Sequence, residues 1–283
     1  SDELRAELVG GLLDGSILSC QLFSEPNAGS DLAAVGTSGR RDGDSWILNG
    51  SKVWVSGARF AHWGEAIVRT NPELSKHAGL TTFMVPMDAP GVEVRPIRQM
   101  SGGASFNEVF LTDVRIPDRL RLGDAGAGWT VALATLGFER AQSGSRAGIG
   151  GSWTQLRALA QHLDRSGEPI VRQELARLYT HERAREITRL RADAARRAGR
   201  PPGGEGSVGK LLWVQGMSAM SSIASDLLGP RLIVDTGEWG TYAWGAHVLG
   251  APGFRIAGGS DEIQRNILAE RVLGLPTDRV RPA

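Results

Sequence analysis

The sequence predicts an α+β fold in which a β domain is followed by a helical bundle, because its texture changes near Gly123. Before that point, short runs rich in β-branched and aromatic residues are separated by Gly, Pro and Asp turns, which is typical of strands. After Gly128, apolar residues recur at spacings of three and four, which indicates helices. The chain has 283 residues, of which 41% are hydrophobic, so it can bury a sizeable core in one large or two ordinary domains.

The elements follow in order from these patterns. Residues 1–15 predict a helix. Four runs of β character predict strands at 45–49, 52–56, 81–86 and 107–111. Three long segments rich in Ala, Leu and Arg predict the helices of the bundle at about 129–163, 168–198 and 206–229. A run of Gly and Pro residues interrupts the chain before the third of these helices.

The composition narrows the class of function. A net charge of +1 gives no reason to expect a nucleic acid or an anionic membrane surface as a partner. No run of ~18 apolar residues is present, so we expect no membrane span, and the first residues are too acidic for a secretory signal. The single cysteine, Cys20, excludes an internal disulfide and suits a reducing compartment. We therefore expect a cytoplasmic protein. Five scattered histidines show no metal spacing, so we expect no metal site.

Two motifs at opposite ends of the chain carry the strongest functional signal. Segment 21–31 reads Gln-Leu-Phe-Ser-Glu-Pro-Asn-Ala-Gly-Ser-Asp, and segment 258–266 reads Gly-Gly-Ser-Asp-Glu-Ile-Gln-Arg-Asn. Taken alone, the first motif is more typical of a plain Ser-Asp capping turn. Together, in this order and at this separation, the two resemble the acyl-CoA dehydrogenase family. The resemblance implies a β-barrel-type middle domain followed by a four-helix bundle.

The resemblance also implies a domain plan and a chemistry. Residues 1–18 would be the tail of an N-terminal helical domain that is largely absent, 19–123 the flavin-binding middle β domain, and 124–283 the C-terminal bundle. The implied cofactor is FAD, and the implied reaction oxidises an acyl-CoA to the 2-enoyl-CoA. A base removes the α-proton, the β-hydrogen passes as hydride to flavin N5, and an electron-transfer flavoprotein receives the electrons.

Flavin contacts are implied by resemblance for both motifs and for one strand. Gln21, Phe23 and Ser24 match the segment that lies along the isoalloxazine, ahead of a sharp turn. Strand alternation places Trp54 and Ser56 on one side, where the family has an indole beside the ring and a hydroxyl near N5; a core position is the alternative for Trp54. The remaining candidates are Gly29 in the turn, Ser30 near flavin and CoA phosphates or as a helix cap, Arg140 near the substrate, and Ser260 and Glu262 at the FAD dinucleotide.

The catalytic base departs from the commoner family pattern. Where many relatives carry the catalytic glutamate this sequence has Gly258, whose backbone N–H the resemblance assigns to the thioester carbonyl. A second family location lies on the first long bundle helix, and Glu139 matches it. We expect Leu136 to desolvate this carboxylate, because desolvation raises the pKa of a glutamate towards that of a general base. The alternative is a structural ion pair of Glu139 with Arg140 or Arg146.

A second departure concerns assembly. Homotetrameric members carry an Arg-x-x-Phe-Gly motif that reaches the FAD of a neighbouring subunit, but Leu163 and Ser166 stand at its Arg and Phe positions. The pattern is similar to bacterial members that pair unlike subunits, so we expect a second dehydrogenase-like subunit, with a homo-oligomer as the alternative. A base on the bundle helix is associated with branched or bulky acyl groups, such as steroid side chains. Two other functions stay open: a non-catalytic partner subunit, and a flavin monooxygenase on the same fold.

Overall fold

The computed structural model describes residues 2–142, 151–200, 203–235, 237 and 241–276. The chain divides into two compact units, residues 1–137 and 138–283. The first unit contains a sheet and the second contains helices, so the fold is α+β, as predicted. The domain boundaries expected after residues 18 and 123 stay predictions.

In the described residues the first unit has eight strands, an α-helix before them and, after them, an α-helix that continues into the second unit. In chain order its elements are α1 (Asp2–Asp14), β1 (Ser19–Leu22), β2 (Ser38–Asp42), β3 (Ser45–Ser56), β4 (Trp63–Arg69), β5 (Leu80–Pro86), β6 (Val92–Ile97), β7 (Phe106–Pro117), β8 (Arg121–Leu122) and α2 (Gly128–Gln142). The helix predicted at 1–15 and the strands predicted at 81–86 and 107–111 are confirmed.

The two runs predicted at 45–49 and 52–56 form one strand, β3, so the turn expected between them is wrong. Gly50 continues the strand at φ 153°, beside a shift in the register of β3 against β7. A Cβ on Gly50 would lie 2.7 Å from the Thr37 Cα, so only glycine lets the two segments approach this closely. The glycine therefore marks a bulge in a strand rather than its end.

The eight strands form one mixed sheet. Its neighbours run in the order β6-β7-β3-β2-β4-β5-β8, and β1 pairs with β4 in parallel. Fully buried residues from distant strands meet in one cluster, including Leu22 of β1, Phe83 of β5 and Val109 of β7. The sheet therefore curves around its own core, as expected for a barrel-type domain.

Cys20 belongs to this inner core. It is buried on β1, with its Sγ 3.9 Å from the Met87 Sδ. Burial in these apolar surroundings raises the pKa of the Cys20 thiol to about 12. The thiol is therefore a packing group and is protonated at neutral pH.

The opposite face of β1, β4 and β5 is covered by α2. Phe23, Ile67 and Leu80 pack there with Ala132 of α2, and Leu136 packs against the same cluster. The start of α2 lies directly on β5, where the Thr82 hydroxyl donates to the Gly128 carbonyl at 3.2 Å. This face supports the N-terminal half of the helix that carries Glu139.

The second unit is helical. Its elements are α3 (Trp153–His162), α4 (Pro169–Arg197), α5 (Glu205–Leu228), α6 (Thr241–Phe254), α7 (Asp261–Ile267) and a π-helix (Leu268–Val272). The helices predicted at 168–198 and 206–229 are confirmed as α4 and α5. The segment predicted at 129–163 contains α2 and α3, and residues 143–150 lie outside the described part of the chain.

The core of the second unit comes from the facing stripes of α3, α4, α5 and α6. Leu156 and Leu159 of α3 and Leu178 of α4 pack with Met217 of α5 and Trp244 of α6. These apolar residues recur at spacings of three and four, which is why the pattern predicted helices here. Throughout the described residues, no helix combines the length and the apolar character needed to cross a membrane.

Candidate active site

The first motif forms a tight turn directly after β1. Glu25 and Ala28 exchange two backbone hydrogen bonds of 3.0 Å each, with Pro26 and Asn27 at the centre of the turn. Proline presets the backbone for such a turn, and asparagine tolerates it. The sharp turn predicted here is confirmed, and Gly29 follows it.

A buried ion pair holds this turn against the sheet. The Lys52 side chain is 0% exposed, and its Nζ donates to Glu25 Oε1 at 2.7 Å, to the Ile67 carbonyl at 2.7 Å and to the Phe23 carbonyl at 3.2 Å. These three acceptors match the three protons of an ammonium group. The Glu25 carboxylate in turn accepts from the Gly36 N–H at 2.7 Å. The loop that follows β1 is thereby fixed at both ends.

The pKa values of the pair reflect this burial. Desolvation lowers the pKa of Lys52 to about 8, although the charge of Glu25 opposes it. Burial also works against the charged form of Glu25, but the Lys52 charge and hydrogen bonds from Lys52, Thr37 and Gly36 together lower its pKa. The hydrogen-bond geometry of the two groups is that of an ammonium–carboxylate pair.

Trp54 stands out from β3 on a strained backbone. Its φ is 62°, and the register of β3 against β7 shifts between Lys52 and Val55. The indole is 59% exposed and meets the Phe106 ring edge-on, with the ring centroids 6.1 Å apart. Ser56 is exposed on the same strand. The core alternative for Trp54 is therefore wrong, and both side chains are open to a ligand.

Ser24 and Trp54 come together through the backbone. The Val53 N–H donates to the Ser24 carbonyl at 2.8 Å, so the first part of the first motif lies beside the residue that precedes Trp54. The Phe23 side chain is buried under α2 and its carbonyl accepts from Lys52. A role for Phe23 at a ligand would thus rest on its backbone N–H.

The capping role expected for Ser30 is wrong. A short 3-10 helix, Leu32–Ala34, begins one residue later, with Asp31 at the N-cap position and no capping bond from its side chain. Asp31 instead forms an exposed ion pair with Lys76. Ser30 is exposed, which leaves its hydroxyl available to a ligand.

The second motif begins with two glycines in left-handed conformation. Gly258 has φ 66° and Gly259 has φ 89°, values that side chains disfavour. The Gln264 amide donates to the Gly258 carbonyl at 3.0 Å and to the Gly259 carbonyl at 3.3 Å. The Lys210 Nζ donates to the Gly259 carbonyl at 2.5 Å. With the carbonyls held in this way, the orientation of the peptide groups is set.

At the start of α7, two polar residues are engaged in holding the fold and a third is open to a ligand. The Ser260 hydroxyl accepts from the Ile263 N–H and caps the helix. Asp261 is buried and its carboxylate accepts from Arg255 at 2.7 and 2.8 Å, so it is a packing group. Glu262 is exposed, and hydrogen bonds from its own backbone and from Ser260 lower its pKa. Glu262 is therefore the acid of this turn that can accept from a ligand.

The Glu139 side chain is exposed near the C-terminal end of α2. Leu136 packs against the cluster beneath the helix, and desolvation of the Glu139 carboxylate by Leu136 stays a prediction. The side chain of Arg140 and the whole of Arg146 lie outside the described part of the chain, and so does the alternative that pairs Glu139 with them.

Two protein-family models match this chain. Residues 20–114 match the acyl-CoA dehydrogenase middle domain, and residues 126–273 match the acyl-CoA dehydrogenase C-terminal domain. The chain belongs to the acyl-CoA dehydrogenase family. This confirms the predicted family and its class, oxidoreductase enzymes of the flavoprotein type.

Two mycobacterial relatives align with nearly the whole of this chain. Acyl-CoA dehydrogenase IpdE1 of Mycobacterium tuberculosis is 41% identical over 268 residues, which cover 94% of this chain and 69% of the relative. Acyl-CoA dehydrogenase FadE34 of the same organism is 35% identical over 270 residues, or 95% of this chain and 37% of the relative.

Solved structures confirm the acyl-CoA dehydrogenase fold. The protein described as "Tcur3481-Tcur3483 steroid ACAD" superposes with a TM-score of 0.89 at 27% identity, covering 98% of this chain and 73% of that one. The ChsE4-ChsE5 complex from Mycobacterium tuberculosis gives 0.85 at 27% identity, covering 98% and 74%.

The dehydrogenase structure brings the predicted residues into local groups. Within the first unit the backbone joins Ser24 to the Trp54 strand, and within the second the capped turn joins Gly258 to Ser260 and Glu262. Their roles towards a ligand stay predictions. Sequence reasoning missed the residues that hold these groups, which are Glu25, Lys52, Lys210 and Gln264. For Lys52 and Lys210 the available signal is a charged side chain inside an otherwise apolar run.

Proposed function

We propose that this chain catalyses α,β-dehydrogenation of an acyl-CoA to the 2-enoyl-CoA, with Glu139 as the base that removes the α-proton. One observation carries the proposal. Position 258 is a left-handed glycine without a carboxylate, while α2 exposes the carboxylate of Glu139. The reaction needs a base, and Glu139 matches the second location that the family uses for it.

The residues present fit FAD. The exposed indole of Trp54 offers a flat apolar face, Ser56 is exposed on the same strand, and the backbone of Ser24 is bonded to that of Val53. Gln21 lies three residues before Ser24, on β1. FAD bound there supplies the acceptor for the β-hydrogen, which leaves the substrate as hydride. Phe23 and the turn at Gly29 complete this segment. We assign Ser260 and Glu262 to contacts with the dinucleotide part of FAD. We assign Ser30 to contacts with the phosphates of flavin and CoA.

The remaining roles concern the thioester. Removing the α-proton places negative charge on the thioester oxygen, and a backbone N–H aimed at that oxygen stabilises it. We assign stabilisation of this oxygen to the Gly258 N–H. Gln264 bonds the carbonyls of Gly258 and Gly259 and so limits rotation of the turn. Arg140 follows the base on α2 and is assigned to the surroundings of the substrate.

The test is anaerobic bleaching of the flavin absorbance by a panel of acyl-CoAs, with Glu139→Gln beside the wild type. Loss of the base should slow bleaching by about 10³-fold, within the usual range for general base catalysis. Glu73→Gln, at an exposed carboxylate of the first unit, should bleach at the wild-type rate. Bleaching of Glu139→Gln at the wild-type rate would overturn the assignment.

The substitution of the subunit-bridging motif supports a hetero-oligomer. Leu163 ends α3 and packs against the core of the second unit, so it offers no donor to a pyrophosphate. The ChsE4-ChsE5 neighbour is a complex of two named chains. We therefore propose a second dehydrogenase-like subunit and half the usual number of flavins.

Size exclusion with light scattering and flavin quantitation tests this assembly. A complex of two unlike chains with about one flavin per pair is expected. A homotetramer with one flavin per chain contradicts it. If the complex keeps full activity with Glu139→Gln, the chain is the non-catalytic partner instead.

Substrate and electron acceptor complete the proposal. A bulky or branched acyl-CoA, such as one with a steroid side chain, is supported by the neighbour described as a steroid ACAD. Electrons would pass to an electron-transfer flavoprotein. Reduction of that protein by the loaded enzyme, measured with and without acyl-CoA, checks the second part.

A further inference from the structure

Glu65 is a half-buried carboxylate on the face of the sheet that α2 covers. The Thr135 hydroxyl of α2 donates to it, at 2.9 Å from one carboxylate oxygen and 3.1 Å from the other. One hydroxyl supplies a single proton, whereas a carboxylate has about four acceptor sites. Within the described part of the chain, Thr135 is the side chain that donates to Glu65 and the carboxylate forms no ion pair, so acceptor sites remain.

Gln21 lies beside Glu65. The two residues face each other in the parallel register of β1 and β4, where neighbouring strands are about 4.8 Å apart. The Gln21 side chain is half-buried, and among the described residues its amide makes no hydrogen bond. Glu65, Thr135 and Gln21 thus form a polar recess, and the name is used below for these three residues.

The environment of Glu65 is unusual for a solvated surface acid. Burial raises the pKa of Glu65, although the hydrogen bond from Thr135 opposes this. Both carboxylate oxygens lie within hydrogen-bond distance of the Thr135 hydroxyl, and the half-buried carboxylate keeps acceptor sites that a neutral donor can fill.

The recess adjoins both parts of the proposed chemistry. Gln21 belongs to the segment assigned to the flavin, and Thr135 precedes the proposed base, Glu139, by four residues on α2. Residues four apart share one face of a helix. The recess therefore lies beside the β1 segment assigned to the flavin, and Thr135 lies one turn before the proposed base along the same helix.

We propose that the polar recess binds a hydroxyl group on the acyl part of the substrate, so that the enzyme acts on hydroxylated rather than plain hydrocarbon acyl-CoA. This inference rests on the proposed function. A hydroxyl donates to Glu65 and accepts from the Gln21 amide, which suits both partners. An acyl carboxylate would meet the like charge of Glu65, and a hydrocarbon would leave the recess unpaired.

Matched substrate pairs test the proposal on the flavin-loaded enzyme in the assembly in which it purifies. The probes are cyclohexanecarbonyl-CoA against its monohydroxylated isomers, and octanoyl-CoA against 8-hydroxyoctanoyl-CoA. In anaerobic bleaching, one hydroxylated member should exceed its parent by about 10- to 10²-fold in kcat/KM, the factor that one hydrogen bond to a charged group contributes. Glu65→Leu should abolish the preference, and Glu65→Gln, which keeps the shape, should reduce it.

Two controls separate recognition from folding. Glu93→Leu makes the same change at an exposed, paired acid on β6 and should leave the preference unchanged. Thr135→Val should weaken the preference without removing it. If Glu65→Leu and Thr135→Val lower Tm but the preference for the hydroxylated member persists, the pair only anchors α2 and the proposal is overturned.

A binding measurement separates this proposal from the proposed function. Calorimetry of the same pairs with Glu139→Gln reports recognition without turnover, and the hydroxylated member should bind more tightly in a manner that depends on Glu65. If that holds while no acyl-CoA bleaches the wild type, the recess stands and the dehydrogenase assignment fails. Equal affinity for both members of every pair overturns the recess whatever the flavin does.

Discussion

Trp54 combines strain with exposure. A tryptophan at φ 62° costs of the order of 1–3 kcal/mol, and its indole is 59% exposed, so burial does not offset the strain. The position therefore lowers the stability of the chain in exchange for an aromatic face outside the sheet. That is the expected balance for a residue that contacts a ligand.

Trp54→Gly should separate the two effects. Glycine adopts positive φ freely, so the free energy of unfolding should stay the same or rise by about 1 kcal/mol, while flavin binding weakens. Urea denaturation and the ratio of flavin to protein absorbance measure both. Trp54→Phe is the control, since it keeps a ring and the strain and should retain flavin better. A glycine variant that holds flavin as tightly as the wild type contradicts the role of Trp54.

Lys52 and Lys76 each hold the loop after β1, but in different surroundings. Lys52→Met leaves Glu25 charged and buried without its partner, so we expect a loss of about 3–5 kcal/mol in the free energy of unfolding. Lys76→Met breaks an exposed pair with Asp31 and should change the free energy of unfolding by less than about 1 kcal/mol. Denaturation of both variants in urea decides this. Similar losses for the two would show that burial of Lys52 does not matter.

At the scale of elements, α2 depends on two glycines in different ways. A Cβ at Gly128 would lie 2.6 Å from the Thr81 Cα, whereas a Cβ at Gly137 meets nothing within 4 Å. Gly128→Ala should therefore destabilise the protein by about 1–3 kcal/mol through overpacking. Gly137→Ala should stabilise it by about 0.5–1 kcal/mol, because alanine favours helices. Thermal unfolding compares the pair, and the same sign for both would refute this account.

A 3-10 helix after β7, Asp118–Leu120, carries a pH-sensitive contact. Hydrogen bonds from Arg121 and then from the Trp46 indole lower the pKa of Asp118 from 3.8 to about 2. A carboxyl with a lowered folded pKa stabilises the protein above its unfolded pKa and loses that contribution as pH falls through the folded pKa.

Asp118→Asn should consequently cost about 1 kcal/mol at pH 7, a value reduced for partial exposure. The difference from the wild type should shrink as pH falls from about 4 towards 2. Urea denaturation at several pH values measures it, with Asp124→Asn, at a fully exposed neighbour, as the control. A difference that stays constant with pH would exclude the charge of Asp118 as its cause.

Elements were predictable where one local pattern decides them, and less so where two patterns compete. The stripes of α4 and α5 and the turn at Pro26 follow from spacing and turn chemistry alone. In β3, strict alternation puts Lys52 on the same side as Trp54. The bulge between them turns Lys52 inward and Trp54 outward, and no residue type in the sequence marks it.

For the whole molecule, the α+β fold could be predicted from the change of pattern near Gly123. The family could be predicted because two specific motifs lie at opposite ends of the chain. The groups that support the site could not, since Lys52 meets Glu25 and Lys210 meets Gly259 only through tertiary packing. The same limit applies to Glu65, whose partner Thr135 is 70 positions away in sequence.

Cys20 gives the molecule an internal chemical reporter. It is the single cysteine of the chain, and its thiol is both buried in the core of the first unit and protonated at neutral pH. A thiol-directed mass tag reacts with the thiolate, so it should label the chain only while that core is open. The second unit contains no cysteine, so its opening adds no label. The rate of labelling therefore measures how often the β core of the first unit opens.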